Sequence, residues 1–175
     1  MVLRALLAIC LFAATANGRA ASLDAAFNTQ VLDRIVAVVD GAPITQSDVA
    51  AATQLGLVAS APGQDPVAAT IDALVERRLI LEEVDRYAPP EPVDADIERH
   101  VVEIRARLGS RFTPTLAEVG LTEDQLRREV RDTLRIDAYL LQRFGAAQPS
   151  DERATMIRDW LAGLRRRANI NILPR

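Results

Sequence analysis

The sequence predicts a mainly α fold closed by a small antiparallel β element, and three patterns predict it. From Val67 to Leu164 apolar residues recur at three- and four-residue spacing, interrupted by proline and glycine where helices should stop. Before them, Ile35 to Val39 is a β-branched run that ends in the turn pair Asp40-Gly41. After them, Asn169 to Leu173 alternates isoleucine with asparagine, the period of a strand.

The β-branched side chains Ile35, Val36, Val38 and Val39 favour the extended chain, and both positions of an Asp-Gly turn tolerate the positive φ of a tight hairpin. The return strand, Ala42 to Ile44, is short because Thr45 offers an N-cap with Asp48 three places on. A first helix is expected from Thr45 to Leu57, followed by a loop through Ser60-Ala61-Pro62-Gly63-Gln64-Asp65-Pro66. Val67, Ile71, Leu74, Val75, Leu79, Leu81 and Val84 predict a second helix to Tyr87, which Pro89, Pro90 and Pro92 stop. Asp94 is expected to cap a third, striped by Ile97, Val101, Ile104 and Leu108 and ended by Gly109.

A short helix is expected near Pro114 to Val119, closed by Gly120, before Thr122 starts the longest one. The first half of that helix is amphipathic through Leu126, Val130 and Leu134. Its second half, with Ile136, Tyr139, Leu140, Leu141 and Phe144, is apolar around much of its circumference and is expected in the core. Gly145 to Pro149 reads as a linker, and Ser150 or Asp151 caps a final helix with Met156, Ile157, Trp160, Leu161 and Leu164 on one side. Arg165 to Arg167 then fall where cations offset the exposed carbonyls of the last turn. An isolated hairpin is marginal in water, so Asn169 to Leu173 is the expected third strand, paired with Ile35 to Val39.

Residues 1–20 read as a secretory leader, with Arg4 in the n-region, Ala5 to Ala14 as the apolar stretch and small residues up to Ala20 for cleavage. That stretch falls short of the roughly 20 apolar residues needed to span a bilayer, so no stable membrane insertion is expected. Cleavage after Ala20 would remove Arg4, Arg19 and the single cysteine, Cys10, taking the formal charge from −3 to −5. Residues 21–175 then form one domain: a hairpin at 31–45, helices over 46–168 and a closing strand at 169–173.

Composition removes most chemistry from consideration. Without a thiol in the mature chain there is no disulfide framework, cysteine metal site or cysteine nucleophile. The glycines are scattered rather than gathered into a phosphate loop, and the acidic balance argues against nucleic acid. His100, the only histidine, is expected on the solvent side of the third helix beside Arg99. The pairs Glu82-Glu83 and Asp94-Asp96 read as solvated helix faces or caps. No catalytic residue, metal site or cofactor is assigned.

The order of a leader, VLDRIVAVVDGAPITQSDV, IDALVERRLILEEVDRYAPPEPVDADIERHV and LAEVGLTEDQLRREVRDTLRIDAYLLQRF resembles the N-terminal region of the SurA family of periplasmic chaperones. The closing DWLAGLRRRANINIL is similar to the C-terminal helix and strand that complete that module. One departure is large: where the family carries parvulin-type prolyl isomerase domains, this chain has only GAAQPSDE, so prolyl isomerase activity is not expected. The resemblance implies a periplasmic, ATP-independent chaperone or peptide-binding module that holds unfolded outer-membrane polypeptides in an apolar groove. Candidate groove residues are Leu55, Leu57 and Val58 at the end of the first helix, with Phe112 and Leu116 before the long helix. The alternatives are an assembly domain that binds one folded periplasmic partner, or itself, through the apolar half of the long helix, and a residual member of the isomerase family.

Overall fold

Asp40 and Gly41 take φ of 48° and 87°, the left-handed pair that a two-residue hairpin requires, and the first two strands form around them. The computed structural model describes residues 33–58, 65–145 and 150–174; the leader expected at 1–20 and the hairpin start at 31 and 32 lie outside them. Strand β1 (Ile35–Val39) pairs antiparallel with β2 (Ala42–Thr45) and, on its other side, with β3 (Ile170–Ile172). The fold is therefore mainly helical with a three-stranded antiparallel sheet, order β2-β1-β3, built from the hairpin and the terminal strand. A bulge between Ile35 and Ala37 bends β1 at Val36.

The hairpin tip also clasps the far end of the chain. The Asp40 N–H donates to the Asn169 carbonyl at 2.9 Å, and the Asp40 carboxylate accepts the Asn169 N–H at 2.8 Å. At the opposite end of the pairing, the Leu173 N–H donates to the Val36 carbonyl at 2.9 Å.

Helix α1 (Gln46–Gln54) opens on the expected capping box: the Thr45 N–H donates to Asp48 Oδ2 at 2.8 Å and the Asp48 N–H to Thr45 Oγ1 at 3.3 Å. It stops earlier than Leu57, because Gly56 adopts φ 62° and the Leu57 N–H turns back to the Ala52 carbonyl at 2.9 Å. Helix α2 (Pro66–Tyr87) starts one residue before the predicted Val67: Asp65 caps it by accepting the Val67 N–H at 3.0 Å, and Pro66 fills the first helical position. In α3 (Asp94–Leu108) the cap is Val93, which makes no side-chain cap bond. Asp94 lies inside the first turn with Asp96, so it favours the positive helix end through its charge rather than as a cap.

A 3-10 turn, Gly109–Arg111, runs directly into α4 (Phe112–Glu118), which begins before the expected Pro114. Helix α5 (Glu123–Phe144) carries a second capping box, the Thr122 N–H to Gln125 Oε1 at 2.7 Å and the Gln125 N–H to Thr122 Oγ1 at 3.2 Å. Helix α6 (Ser150–Arg167) leads into β3.

Three apolar clusters join these elements. Ala37, Val39 and Ile44 turn one sheet face onto Val49, Ile71, Val75, Leu79 and Leu164. Leu55, Ile97, Val101, Ile104, Phe112, Leu116, Leu126 and Val130 fill the space between α3, α4 and α5. Ile80, Val84, Ile136 and Tyr139 pack with Trp160 and Leu161 where α2, α5 and α6 meet. Most of the apolar second half of α5 is thereby covered, as expected, although Leu141 stays 50% exposed.

Arginines lace the outside of these contacts. Along one side of α5, Arg127 reaches Glu98, Arg131 reaches Glu91 at 2.8 Å, and Arg135 reaches Asp85 at 2.9 Å and Glu91 at 3.2 Å. Arg165, expected only to offset the end of the last helix, also pairs with Asp72 at 2.9 Å and Glu76 at 3.1 Å on α2. Glu83 departs from the solvated face expected of it: it is buried and accepts a bond from Arg86 at 2.8 Å. Its neighbour Glu82 is half-buried, and burial, followed by the nearby Asp40 charge, raises its carboxyl above the ordinary value.

Two substitutions test this packing. Leu126→Ala, at a fully buried position, should cost about 2–5 kcal/mol in urea unfolding. Asp40→Ala should cost about 1–2 kcal/mol through the lost Asn169 bond and the left-handed φ, whereas Asp40→Asn, which keeps an acceptor and tolerates that φ, should recover most of it.

Candidate functional site

The largely apolar groove of the described chain lies between α1, the first turns of α2 and the open end of the sheet. It encloses about 340 Å³ and is walled by Val36, Val49, Ala50, Val67, Ile71 and Leu173, with Arg34, Gln46, Thr53 and Gln54 at its polar margin. Local chemistry fixes each wall. The α1 capping box sets the helix whose Val49 packs with Ile71 of α2, while the Asp65 cap and Pro66 place Val67 and Ile71 one helical turn apart on the facing side.

Two hydroxyls mark the contact of these helices. Thr53 Oγ1 donates to the Val49 carbonyl and Thr70 Oγ1 to the Pro66 carbonyl, each at 2.8 Å, and the two oxygens lie 3.4 Å apart. The third wall depends on strand pairing, because the Leu173–Val36 bond brings two residues from opposite chain ends side by side. Arg34 seals that end by donating to the Pro174 carbonyl at 2.6 Å.

Next to Arg34 in the chain, Asp33 accepts the Ser47 N–H at 3.2 Å and the Ser47 hydroxyl. Burial raises the Asp33 carboxyl, but the bonds from Ser47 and Thr45 outweigh it and hold the group below its ordinary value.

The sequence candidates occupy a different place. Leu55, Phe112 and Leu116 do come together, but inside the α3–α4–α5 core, where Leu55 is 0%, Phe112 6% and Leu116 7% exposed. They build the core and line no groove. Val58 is half-buried at the end of its described stretch. Leu57 is the candidate with an opening beside it. Paired glycine-terminated helix ends deliver it: Gly56 turns Leu57 back onto Ala52, and Gly120, at φ 69°, turns Leu121 back onto Leu116 at 2.9 Å. Leu57 and Leu121 meet at a smaller cavity of about 140 Å³ with Ile44, Leu74, Leu81 and the guanidinium-bearing Arg77 and Arg78. Arg77 is committed there, donating to Thr133 Oγ1 and the Glu129 carbonyl at 2.9 Å each and to Glu129 Oε2 at 3.1 Å.

His100 is half-buried rather than solvent-facing. Its Nδ1 sits 2.9 Å from the Asp96 carbonyl, and since a carbonyl only accepts, that nitrogen carries the proton. Among the described residues no group of three or more His, Cys, Asp or Glu side chains is placed to hold a metal ion, and no described helix is long and apolar enough to cross a membrane.

Sequence reasoning missed Val36, Val67, Ile71 and Leu173 as groove residues. The available signal was Val67, an apolar side chain in the first turn of its helix, one turn before Ile71; in the structure it is the exposed end of that stripe, at 45%.

The Asp33 tie has a pH signature. Its folded-state value lies below the ordinary 3.8, so its stabilisation is complete above that value and is lost as pH falls through the lower, folded one. Ser47→Ala should move the Asp33 titration upward, read by carboxyl NMR, and narrow that acid window. No protein-family model matches the chain, and no curated protein matches it in sequence.

Proposed function

We propose that this protein is a periplasmic, ATP-independent holding chaperone or peptide-binding module for unfolded outer-membrane polypeptides. The observation that carries the reading is the groove between α1, α2 and the sheet end, whose walls are mostly aliphatic and whose margin is polar. That combination suits an unfolded chain. Apolar side chains gain from leaving water, while backbone groups stay near Gln46, Thr53 and Gln54. The leader read at residues 1–20 supports export, and the resemblance of the order of sequence segments to the SurA family supports the client class. Nothing in this reading calls for a nucleotide or a covalent step.

An assembly role through the second half of α5 has less support. Ile136, Tyr139 and Phe144 are buried, and the Phe144 and Tyr139 rings lie 5.4 and 6.0 Å from Trp160 of α6.

Aggregation assays test the proposal. The purified protein should suppress aggregation of several unrelated unfolded outer-membrane proteins. Val67→Glu should abolish most of that suppression while changing stability by no more than about 0.5 kcal/mol, as expected at an exposed site. Failure against every client, or full activity of Val67→Glu, removes the basis of the reading.

A further inference from the structure

The two edges of the sheet are not equivalent. Val39 and Ala42 flank the two-residue turn and form its closing pair, so Pro43, opposite Val38, is the next position out and points its backbone away from β1. A proline there offers no N–H, which blunts the β2 edge. On β3, Asn169 and Leu173 bond toward β1, and the alternation of an antiparallel ladder turns the N–H and C=O groups of Ile170 and Ile172 outward. Among the described residues no strand lies beyond them. Asn171 is exposed and Ile172 is 49% exposed, so this edge is open. It is also neutral and ends at Leu173, which is a wall of the groove.

We infer that the free edge of β3 binds an extended segment of unfolded polypeptide as a fourth strand. This rests on the client-holding reading and supplies its geometry. Four unpaired backbone groups at strand spacing select an extended backbone without regard to side-chain sequence, as a holder of many clients requires. The groove beside Leu173 takes an apolar side chain of the added strand.

Charge selects the occupant. Arg166 and Arg167, both exposed, are the last residues of α6, and exposed Arg34 is bonded to Pro174 past the other end of β3. The carboxylates at these two ends are taken up internally, Asp40 by the Asn169 N–H and Asp33 by Ser47, which leaves the three arginines in excess. A second copy pairing antiparallel through the same edge would bring these arginines together. A neutral strand with acidic flanks meets them favourably.

The probe is a short peptide of alternating valine and threonine with glutamate at both ends, titrated into the purified protein. Amide hydrogen exchange should show Ile170 and Ile172 gaining protection as the peptide binds. Ile172→Pro removes an outward N–H that the fold does not use, and should weaken binding roughly two- to tenfold with an unchanged thermal midpoint. Ile172→Thr, which keeps the N–H, should bind within about twofold of the parent.

Peptide binding that leaves both amides exchanging freely overturns the inference, and so does equal affinity of Ile172→Pro. The aggregation assay then still decides the client-holding reading separately. Protection that deepens with protein concentration in the absence of peptide, with a doubled mass in light scattering, gives the edge to a second copy and overturns the inference as well.

Discussion

Burial of α2 on two sides at once is the constraint from which the rest of the architecture follows. Ile71, Val75 and Leu79, spaced by four, lie under the sheet, while Ile80 and Val84 turn toward α5 and α6. Without this helix the sheet would have one face bare, and a small hairpin ribbon does not persist alone in water. Polar groups inside the helix are met locally or across the interface: Thr70 bonds its own Pro66 carbonyl, Glu83 takes Arg86, and Arg77 spans to Glu129 and Thr133 of α5. A side chain such as Arg77, 11% exposed, is tolerable in that position only because its donors are occupied.

Placing β1 in the middle of the sheet joins the two ends of the described chain. The entropic cost of closing so long a loop grows only with the logarithm of its length, whereas the added strand brings backbone bonds and packs Ile170 against the cluster that holds Leu164 of α6. The clasp at Asp40 and the bond at Val36 lie at opposite ends of this pairing, which fixes its register from both sides. The groove inherits its third wall from that register, since a slip would carry Leu173 away from Val36.

Much of this was legible wherever the cause is local. Thr45 with Asp48 and Asp40-Gly41 each carry their partners within a few residues and are placed as expected, and Thr122 starts its helix as expected, with Gln125 completing the box. Element ends that depend on neighbours were misplaced: α4 begins at Phe112 because a 3-10 turn runs into it and Phe112 is needed in the core, which no local pattern announces. Periodicity also tells which side of a helix is apolar and not how deep it lies. Leu55, Phe112 and Leu116 were therefore chosen as groove residues although they are interior. The groove itself was hidden because Val36, Ile71 and Leu173 are far apart in sequence, and their meeting depends on strand pairing and helix packing together.

The ion pairs along α5 have an asymmetry that geometry alone does not convey. Every side-chain cation in them is arginine, and the chain contains no lysine, so the positive half of each pair stays charged in any alkaline solution a protein survives. The carboxylates are the only half that titrates. Glu98 is held below its ordinary value by the hydrogen bond from Arg127, so its contribution is present above that value and fades only as acid carries the pH through the lowered one. Reagents that acylate or cross-link side-chain amines likewise find none to neutralise. Over the pH range a protein survives, this lattice is thus titrated from its acidic side, by protons on the carboxyl groups rather than by loss of protons from the cations.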